Sequence, residues 1–235
     1  MADLLTPHDG AELREALARL QARHPLKVDL GLDRIDAVCA ALGRPELRLP
    51  PVIHVAGTNG KGSTTAFVRA MAEAAGLAAH VLTSPHLVRF VERLRLGGTL
   101  VEEAAVVDAL ARVEAAAGEA PLSFFEAVTA AQFLLMAEAP ADLAVVEVGL
   151  GGRFDATNLV RPAVSVIAPV DMDHREFLGD TLRAIAGEKA GIAKPGAPLV
   201  VARQKPEAME VIAAEASRVG ARLLARGDAW DSAPT

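Results

Sequence analysis

Residues 52–65 read VIHVAGTNGKGSTT, and this stretch decides the fold. The apolar run at 52–56 is typical of a short buried strand, and the Gly-rich turn after it leads into a helix. Glycines let successive backbone N–H groups point at a phosphate, and the positive end of the helix dipole favours the same anion. The stretch therefore predicts a phosphate-binding loop, with Lys61 as a mobile cation for the β and γ oxygens. The predicted phosphate contacts are Gly57, Thr58, Asn59, Gly60, Lys61, Gly62 and Ser63.

Two features of this loop depart from the usual phosphate-loop template. Its first glycine is Gly57 and not a residue further upstream, and position 62 is Gly where most such loops carry Ser or Thr. The hydroxyl beside a metal ion would therefore come from Ser63, from Thr64 or from elsewhere in the chain. A plain Gly-rich turn is the alternative interpretation, and the strand–loop–helix context disfavours it.

Apolar runs alternate with helical patterns on both sides of the loop. This alternation predicts an α/β fold of the P-loop NTPase type, with a mainly parallel sheet flanked by helices. Residues 1–226 are expected to form this domain, and residues 227–235 the start of a linker. The predicted helices span 11–23, 33–43, 61–75, 102–117, 124–138, 181–193 and 206–219. The predicted strands span 52–56, 78–82, 142–148, 163–170, 197–202 and 221–225.

Composition excludes several classes of function. The 235 residues carry 24 basic and 30 acidic side chains, and this net charge of −6 argues against a nucleic-acid binder. Aromatic residues make up 3%, too few for a platform that stacks bases. The single Cys39 excludes an internal disulfide and favours a reducing compartment. No apolar run approaches the ~20 residues that span a bilayer, so a cytoplasmic protein without membrane contact is predicted.

Polar residues follow three of the predicted strands. Glu147 ends an apolar strand beside a Gly-rich segment, where Mg²⁺ is usually held near a phosphate loop. His174 follows the next strand, with Asp171 and Asp173 beside it, and Ser84 follows the strand at 78–82. Each residue has an ordinary alternative, namely an exposed strand-end carboxylate, a surface histidine, a loop-capping aspartate or a turn hydroxyl. These residues are therefore candidates for a metal site on position alone.

Five segments together carry a resemblance to a known family. They occur in the order found in folylpolyglutamate synthase/dihydrofolate synthase, a branch of the Mur-ligase superfamily of ATP-dependent amide-bond ligases. The chain resembles this family from about residue 28 to residue 204. The segments are GTNGKGS at 57–63, TSPHL at 83–87, EVGLGGRFDATN at 147–158, DH at 173–174 with LG at 178–179, and EKAGI at 188–192.

The resemblance implies roles for several residues. Positions that match Ser84, Glu147 and His174 bind two Mg²⁺ ions in the similar enzymes, and Glu147 is shared between the ions. Lys61 is implied to stabilise the phosphates of ATP during the reaction. The lysine of the EKAGI segment, Lys189 here, is carbamylated by CO₂ in related enzymes and supports the second metal. A helix lysine is otherwise expected to be solvated, so burial of Lys189 is the feature to look for.

The resemblance also implies a folate-binding region. A flat pterin needs apolar walls and a few polar groups at its edges. The Phe pair at 124–125 is a candidate wall, and the aspartates at 29 and 155 are candidate edge partners. Their ordinary alternatives are a buried Phe pair that opens a helix, and aspartates that cap helices or turns. The implied residues are Asp29, Leu30, Gly31, Leu32, Thr83, Ser84, Pro85, His86, Ser123, Phe124, Phe125, Glu126, Asp155 and Ala156.

The implied reaction joins L-glutamate to dihydropteroate or to a folate, with ATP converting the substrate carboxylate into an acyl phosphate. The segment DLGL at 29–32 favours dihydrofolate synthase activity beside polyglutamylation. The similar enzymes carry a second, C-terminal domain, so we expect the chain to be a truncated, poorly active monomer that still binds Mg²⁺–nucleotide. Another Mur-type ligase, or a non-catalytic module that binds nucleotide or pterin, is the alternative.

Overall fold

The computed structural model describes residues 7–23 and 31–231. Two residues predicted to bind folate, Asp29 and Leu30, lie outside these ranges. The helices are α1 (Ala11–Arg23), α2 (Asp33–Ala41), α3 (Lys61–Ala74), α4 (Glu103–Ala117), α5 (Phe124–Glu138), α6 (Arg175–Leu178), α7 (Leu182–Ala190) and α8 (Pro206–Val219). The strands are β1 (Val52–Ala56), β2 (Ala79–Leu82), β3 (Leu94–Leu96), β4 (Thr99–Leu100), β5 (Leu143–Glu147), β6 (Pro162–Ile167), β7 (Pro198–Val201) and β8 (Arg222–Ala225). Single 3₁₀ turns cover Pro45–Leu47, Phe90–Arg93 and Ala156–Leu159.

One eight-stranded sheet organises the described chain, in the order β4-β3-β2-β5-β1-β6-β7-β8. The pairs between β2, β5, β1, β6, β7 and β8 are parallel, which confirms the predicted mainly parallel α/β fold. Strand β3 pairs antiparallel with β2 and with β4. The β3–β4 hairpin is absent from the prediction, although Gly97 and Gly98 between two short apolar runs are a hairpin signal.

The parallel strands bring the predicted site segments to one edge of the sheet. The carboxyl ends of β1, β2, β5 and β6 meet there, because parallel neighbours end on the same side. The phosphate loop follows β1, and the TSPHL segment follows β2. The Gly-rich segment follows β5, and the segment with His174 follows β6. Four of the five segments that carry the resemblance therefore begin at this edge.

Two clusters of buried apolar side chains hold the sheet and helices together. The first includes buried residues of α1, α2, α4 and α5 and of the strands at the β2–β1 side of the sheet. The second joins α7 and α8 to β6 and β7. Helix α3 packs on β1, β2 and β5, and of its own side chains it buries only Thr65 and Ala72. In the described part of the chain, every helix is too short or too polar to cross a membrane.

Candidate active site

Two glycines shape the phosphate loop between β1 and α3. Gly57 has a φ of 147°, and a Cβ at this position would lie 2.7 Å from the Cβ of Ala168. Gly60 has a φ of 83° and precedes the first residue of α3. Both backbone conformations favour glycine, so the sequence lets the loop pass close to the segment after β6 and then turn into the helix.

The loop is anchored through its own backbone. The amides of Thr58 and Asn59 donate to the carbonyl of Pro169, at 3.0 and 3.1 Å. The Thr58 hydroxyl donates to the carbonyl of Asp171 and accepts from its amide. These contacts use the donors of Thr58 and Asn59 within the protein. The first amides of a helix lack intrahelical partners, so residues 61–63 are the ones that can present N–H groups to a phosphate.

Lys61 stands at the start of α3 as the cation of the loop. Its Nζ lies 3.5 Å from the carbonyl of Thr58, and the side chain is half-buried. Its positive charge lowers the pKa of Glu147 and that of Lys189. The charge of Lys61 therefore acts on two other titratable groups predicted for the site, Glu147 and Lys189.

Glu147 is the last residue of β5, and its side chain is only 5% exposed. Burial raises the pKa of Glu147 to about 7, against the opposing charge of Lys61 and a hydrogen bond from the amide of Ser84. A Cβ at Gly62 would lie 3.8 Å from Glu147 Oε2. The glycine at position 62, which departs from the usual template, thus lies beside the carboxylate, within ordinary contact distance of a Cβ.

Ser84 contacts Glu147. The Ser84 amide donates to the Glu147 carboxylate, while the buried Ser84 Oγ has no hydrogen-bond partner among the described residues. The peptide bond between Ser84 and Pro85 is cis. A buried hydroxyl without a partner is costly, and a carboxylate–hydroxyl pair is a donor set that suits Mg²⁺. The pair therefore fits a divalent cation.

His174 is not gathered into the same group. Its side chain is 51% exposed, and its Nε2 lies 3.5 Å from Asp173 Oδ2. Within residues 7–23 and 31–231, no three His, Cys, Asp or Glu side chains stand close enough to hold a metal ion. His174 does have a left-handed backbone with φ of 46°, which is strained for a non-glycine residue. Its role as a metal ligand stays a prediction.

Lys189 is buried near the end of α7, so the interpretation of a solvated helix lysine is wrong. The residue is 4% exposed. Burial, together with the charge of Lys61, lowers the pKa of Lys189 to about 8, against the opposing charges of Asp173, Asp155 and Glu188. At neutral pH the amine is therefore closer to its neutral form than an exposed lysine would be.

The Gly-rich segment after β5 packs directly on the end of α7. A Cβ at Gly152 would lie 2.7 Å from the carbonyl of Glu188, and one at Gly191 would lie 2.4 Å from Arg153 Cβ. The Arg153 amide donates to the Glu188 carbonyl at 2.8 Å. The side chain of Asn158 donates to the carbonyls of Arg153 and Gly191. These contacts fix the backbone that carries Lys189 against the segment that starts at Glu147.

Asp155 is a buried capping residue. Its Oδ1 accepts from the amide and the hydroxyl of Thr157, and its Oδ2 accepts from the amide of Leu150 at 2.8 Å. The Thr157 hydroxyl lies 3.0 Å from Nε2 of the fully buried His54. Burial raises the pKa of Asp155, and it lowers the pKa of His54 to about 3. The capping role considered from the sequence is present, and a pterin contact would be additional to it.

The candidate aromatic wall is divided by the fold. Phe124 is 3% exposed and belongs to the core, whereas Phe125 is half-buried and packs against Gly149, where a Cβ would lie 2.4 Å from its ring. Ser123 and Glu126 form a capping box at the start of α5, and Glu126 is paired with Arg34 at 3.1 Å. Of this segment, Phe125 is the side chain that retains partly exposed aromatic surface.

The remaining predicted folate residues fall in three places. Gly31 and Leu32 precede α2 and are half-buried, and Ala156 is buried at the start of a 3₁₀ turn. Thr83 lies after β2, where its amide donates to the carbonyl of Arg93 at 3.0 Å. Pro85 is exposed and His86 is half-buried in the same segment. The Thr83–His86 segment thus adjoins the Ser84–Glu147 pair.

Comparison with known proteins is consistent with this geometry. Residues 55–227 match the model of the Mur ligase middle domain, which is more than half of the chain. The chain belongs to the Mur ligase family. Its match begins within β1 and includes the phosphate loop and the segments that form the candidate site.

The relatives of the chain are named as folate enzymes. Dihydrofolate synthase/folylpolyglutamate synthase of Escherichia coli is 40% identical over 98% of this chain and 54% of its own length. The enzyme of the same name from Mycobacterium tuberculosis is 41% identical over 93% of this chain and 49% of its own. The chain spans about half the length of the curated relatives it matches. The resemblance to the folylpolyglutamate synthase/dihydrofolate synthase branch is confirmed.

Solved structures of folylpolyglutamate synthase/dihydrofolate synthase enzymes are also similar to this chain. E. coli FolC in complex with DHPP and ADP has a TM-score of 0.90 and 40% identity, and covers 98% of this chain and 55% of its own. A bifunctional folylpolyglutamate synthase/dihydrofolate synthase with Mn, AMPPNP and L-glutamate bound has a TM-score of 0.87 and 38% identity, and covers 97% of this chain and 55% of its own. The Mur ligase fold described here is therefore that of these enzymes.

Three polar residues around the candidate site are missed by the sequence prediction. His54 and Thr157 support Asp155, and Arg93 contacts His86. His54 lies inside an apolar strand, and Arg93 lies in a segment that reads as an ordinary loop. The polar residue in the apolar run VIHVA was the signal that could have identified His54, because buried polar groups need partners.

Proposed function

We propose that this Mur ligase is an ATP-dependent ligase that joins L-glutamate to dihydropteroate or to a folate. The carrying observation is that one sheet edge brings together the phosphate loop, the Ser84–Glu147 pair and the buried Lys189. The substrates are supported by the DHPP, ADP, AMPPNP and L-glutamate named in the structures of relatives. All proposed ligands are small molecules, and no nucleic acid or membrane takes part.

The proposed chemistry has two steps. A carboxylate oxygen of the pteroate or folate attacks the γ-phosphorus of ATP, and the bond from that phosphorus to the β,γ-bridging oxygen breaks. ADP departs, and the substrate carboxylate has become an acyl phosphate. The amine nitrogen of L-glutamate then attacks the acyl carbon, phosphate leaves, and the amine proton passes to solvent. The open amides at residues 61–63 and the Lys61 ammonium would hold and orient the phosphates, so the protein acts by positioning and electrostatics.

A divalent metal site is part of the proposal. Ser84 Oγ and the Glu147 carboxylate would hold one Mg²⁺, and His174 with a share of Glu147 would hold a second. The buried Ser84 hydroxyl, which has no hydrogen-bond partner among the described residues, supports the first ion. When bound, such ions neutralise charge on the transferring phosphoryl group.

Carbamylation of Lys189 belongs to the same proposal. The Lys189 ammonium would first lose one proton to solvent. The neutral amine nitrogen would then attack the carbon of CO₂, forming an N–C bond as one C–O π bond breaks, and a second proton would pass to solvent, so that the side chain changes from a cation to a carbamate anion. The burial of Lys189 and the nearby charge of Lys61, which lower its pKa to about 8, support a neutral amine. Carbon-13 NMR in labelled bicarbonate tests this, because a carbamate carbonyl signal should disappear in Lys189→Arg and persist in the exposed-lysine control Lys205→Arg.

A titration of dihydropteroate into the chain, with saturating Mg²⁺–AMPPNP, tests the proposed function. We expect saturable heat of binding. Asp155→Asn keeps the size of the cap but removes its charge and one acceptor oxygen. Weaker binding by a variant that still folds would support an edge contact. A folded wild-type chain that binds no dihydropteroate would contradict the proposal.

A further inference from the structure

Arg93 is an unusual residue of this fold because its charge is buried. It ends the 3₁₀ turn Phe90–Arg93 and is 5% exposed. Among the described residues, no carboxylate lies within ion-pair distance of its guanidinium. Burial lowers the pKa of Arg93 to about 10. A buried guanidinium without an anionic partner is costly, so its contacts require an explanation.

Among the described residues, the side chain of Arg93 has a hydrogen-bond partner and an aromatic neighbour. Its Nε donates to Nδ1 of His86 at 2.8 Å, and its guanidinium lies over the ring of Phe90, 5.3 Å from the ring centroid. The same Phe90 ring lies 5.8 Å from the imidazole of His86. Arg93 and Phe90 therefore hold the imidazole from two directions.

The hydrogen bond fixes the tautomer of His86. A guanidinium N–H can only donate, so Nδ1 of His86 must offer its lone pair. The single ring proton of neutral His86 then lies on Nε2. In the part of the chain that the structure describes, Nε2 of His86 makes no hydrogen bond, so this N–H is an open donor.

The backbone around His86 is held as firmly as its ring. One carboxylate, that of Glu92, accepts the amides of Leu87, Val88 and Arg89 at 2.8, 3.1 and 2.7 Å. The amide of Thr83 donates to the Arg93 carbonyl. The segment that carries His86 is thus bound to the turn that carries Arg93. His86 itself lies two residues after Ser84 in the sequence.

We propose that Arg93 is a positioning residue that holds His86 as an Nε2–H donor, and that this donor binds an acceptor oxygen of dihydropteroate. The identity of the ligand rests on the proposed function above, whereas the tautomer of His86 does not. The arrangement explains why an arginine is buried here, since lysine has no planar N–H fork to direct at one ring nitrogen.

Long-range ¹H–¹⁵N NMR of the histidine-labelled chain tests the tautomer directly. The His86 signals are assigned by their loss in His86→Gln. We expect a protonated Nε2 and an unprotonated Nδ1 in the wild type, and a mixture of tautomers in Arg93→Met, which keeps the length of the side chain but has no donor. An Nδ1–H tautomer in the wild type, or an unchanged spectrum in Arg93→Met, would overturn the positioning role.

A matched pair at His86 tests the donor even if Arg93→Met does not fold. Glutamine can place an N–H near the position of Nε2, whereas the shorter asparagine reaches only the position of Nδ1. In the dihydropteroate titration we expect His86→Gln to keep near-wild-type affinity and His86→Asn to lose about tenfold to a hundredfold. Equal affinities in the two variants would overturn the donor role. A wild-type chain that binds no dihydropteroate would overturn the ligand together with the proposed function, while the tautomer would still be decided by NMR.

Discussion

Burial moves Glu147 and Lys189 toward their neutral forms in opposite directions on the pH scale. The pKa of Glu147 rises to about 7, and that of Lys189 falls to about 8. The charge of Lys61 lowers both values, so it opposes burial at Glu147 and adds to it at Lys189. A bound dication would favour the ionised carboxylate, and the neutral amine is the form that reacts with CO₂. Lys189 therefore has the protonation behaviour that carbamylation needs, whereas Glu147 would need the bound dication to stay ionised.

Glu147→Gln should stabilise the metal-free chain at pH 8. The folded-state pKa of Glu147 lies above its ordinary value of 4.5, so its cost to stability is present above pH 7 and is relieved as the pH falls toward 4.5. A shift of this size corresponds to at most about 3 kcal/mol. In thermal unfolding between pH 5 and pH 8, Glu147→Gln should have a higher melting temperature than the wild type at pH 8, and its melting temperature should depend less on pH. An unchanged profile would refute the burial argument.

Lys189→Met should remove a rise in stability at alkaline pH. The folded-state pKa of Lys189 lies below its ordinary 10.5, so its cost is present below about pH 8 and is relieved as the pH rises toward 10.5. Urea unfolding at pH 7.5 and pH 10 measures the difference, expected to be at most about 3 kcal/mol. Lys205→Met is the control, because Lys205 is exposed and pairs with Asp171. Equal pH dependence in wild type and Lys189→Met would contradict the prediction.

The sequence alone predicts that Glu147 lies at a strand end, but it does not predict that Lys189 is buried. The pattern around Lys189 is that of any amphipathic helix, and its burial comes from the Gly-rich segment that packs on α7 from 35 to 40 residues away. The resemblance, and not the residue pattern, singled out this lysine. The same holds for Phe124 and Phe125, since the sequence does not say which ring faces the core.

Close packing at Gly152 holds the Gly-rich segment against the end of α7. A Cβ at Gly152 would lie 2.7 Å from the Glu188 carbonyl and 3.0 Å from Lys189 Cα, and neither backbone atom can move aside alone. The position of Lys189 therefore depends on the absence of a side chain at Gly152.

Gly152→Ala should destabilise the fold by about 1–3 kcal/mol, because overpacking forces the backbone apart. Gly187→Ala on the same helix is the matched control. Its Cβ would meet only ordinary contact at 3.7 Å, and alanine favours a helix interior, so its stability should be equal or higher. Denaturant unfolding of both variants gives the comparison. A neutral Gly152→Ala would show that the two elements are not interlocked.

Elements with strong periodicity were predictable, and short elements were not. The predicted bounds of α1, α5, α8 and β1 agree with the structure to the residue, and the other long helices and strands differ by a few residues at their ends. Strands β3 and β4 have three and two residues, too few for a period-2 pattern. Helix α6 has four residues and forms in a loop for which no pattern predicts a helix.

The site is a property of the whole molecule, because its parts come from four strand ends and one helix. Parallel pairing of β2, β5, β1 and β6 could be expected from the alternating pattern, and it implies that the segments meet. The alternation of strands and helices does not predict which side chains face each other across that edge. The Ser84–Glu147 contact was visible only in the fold, and His174 was not brought into a three-ligand cluster in the described chain.

Calorimetry of AMPPNP binding with and without Mg²⁺ tests most directly the claim that this edge is a nucleotide and metal site. We predict saturable binding that needs Mg²⁺ and weakens at least about tenfold in Lys61→Ala, since a charge-assisted contact contributes more than about 1.5 kcal/mol. Lys205→Ala, which removes an exposed lysine, should bind as the wild type does. Binding that is indifferent to Mg²⁺ and to Lys61→Ala would contradict the account.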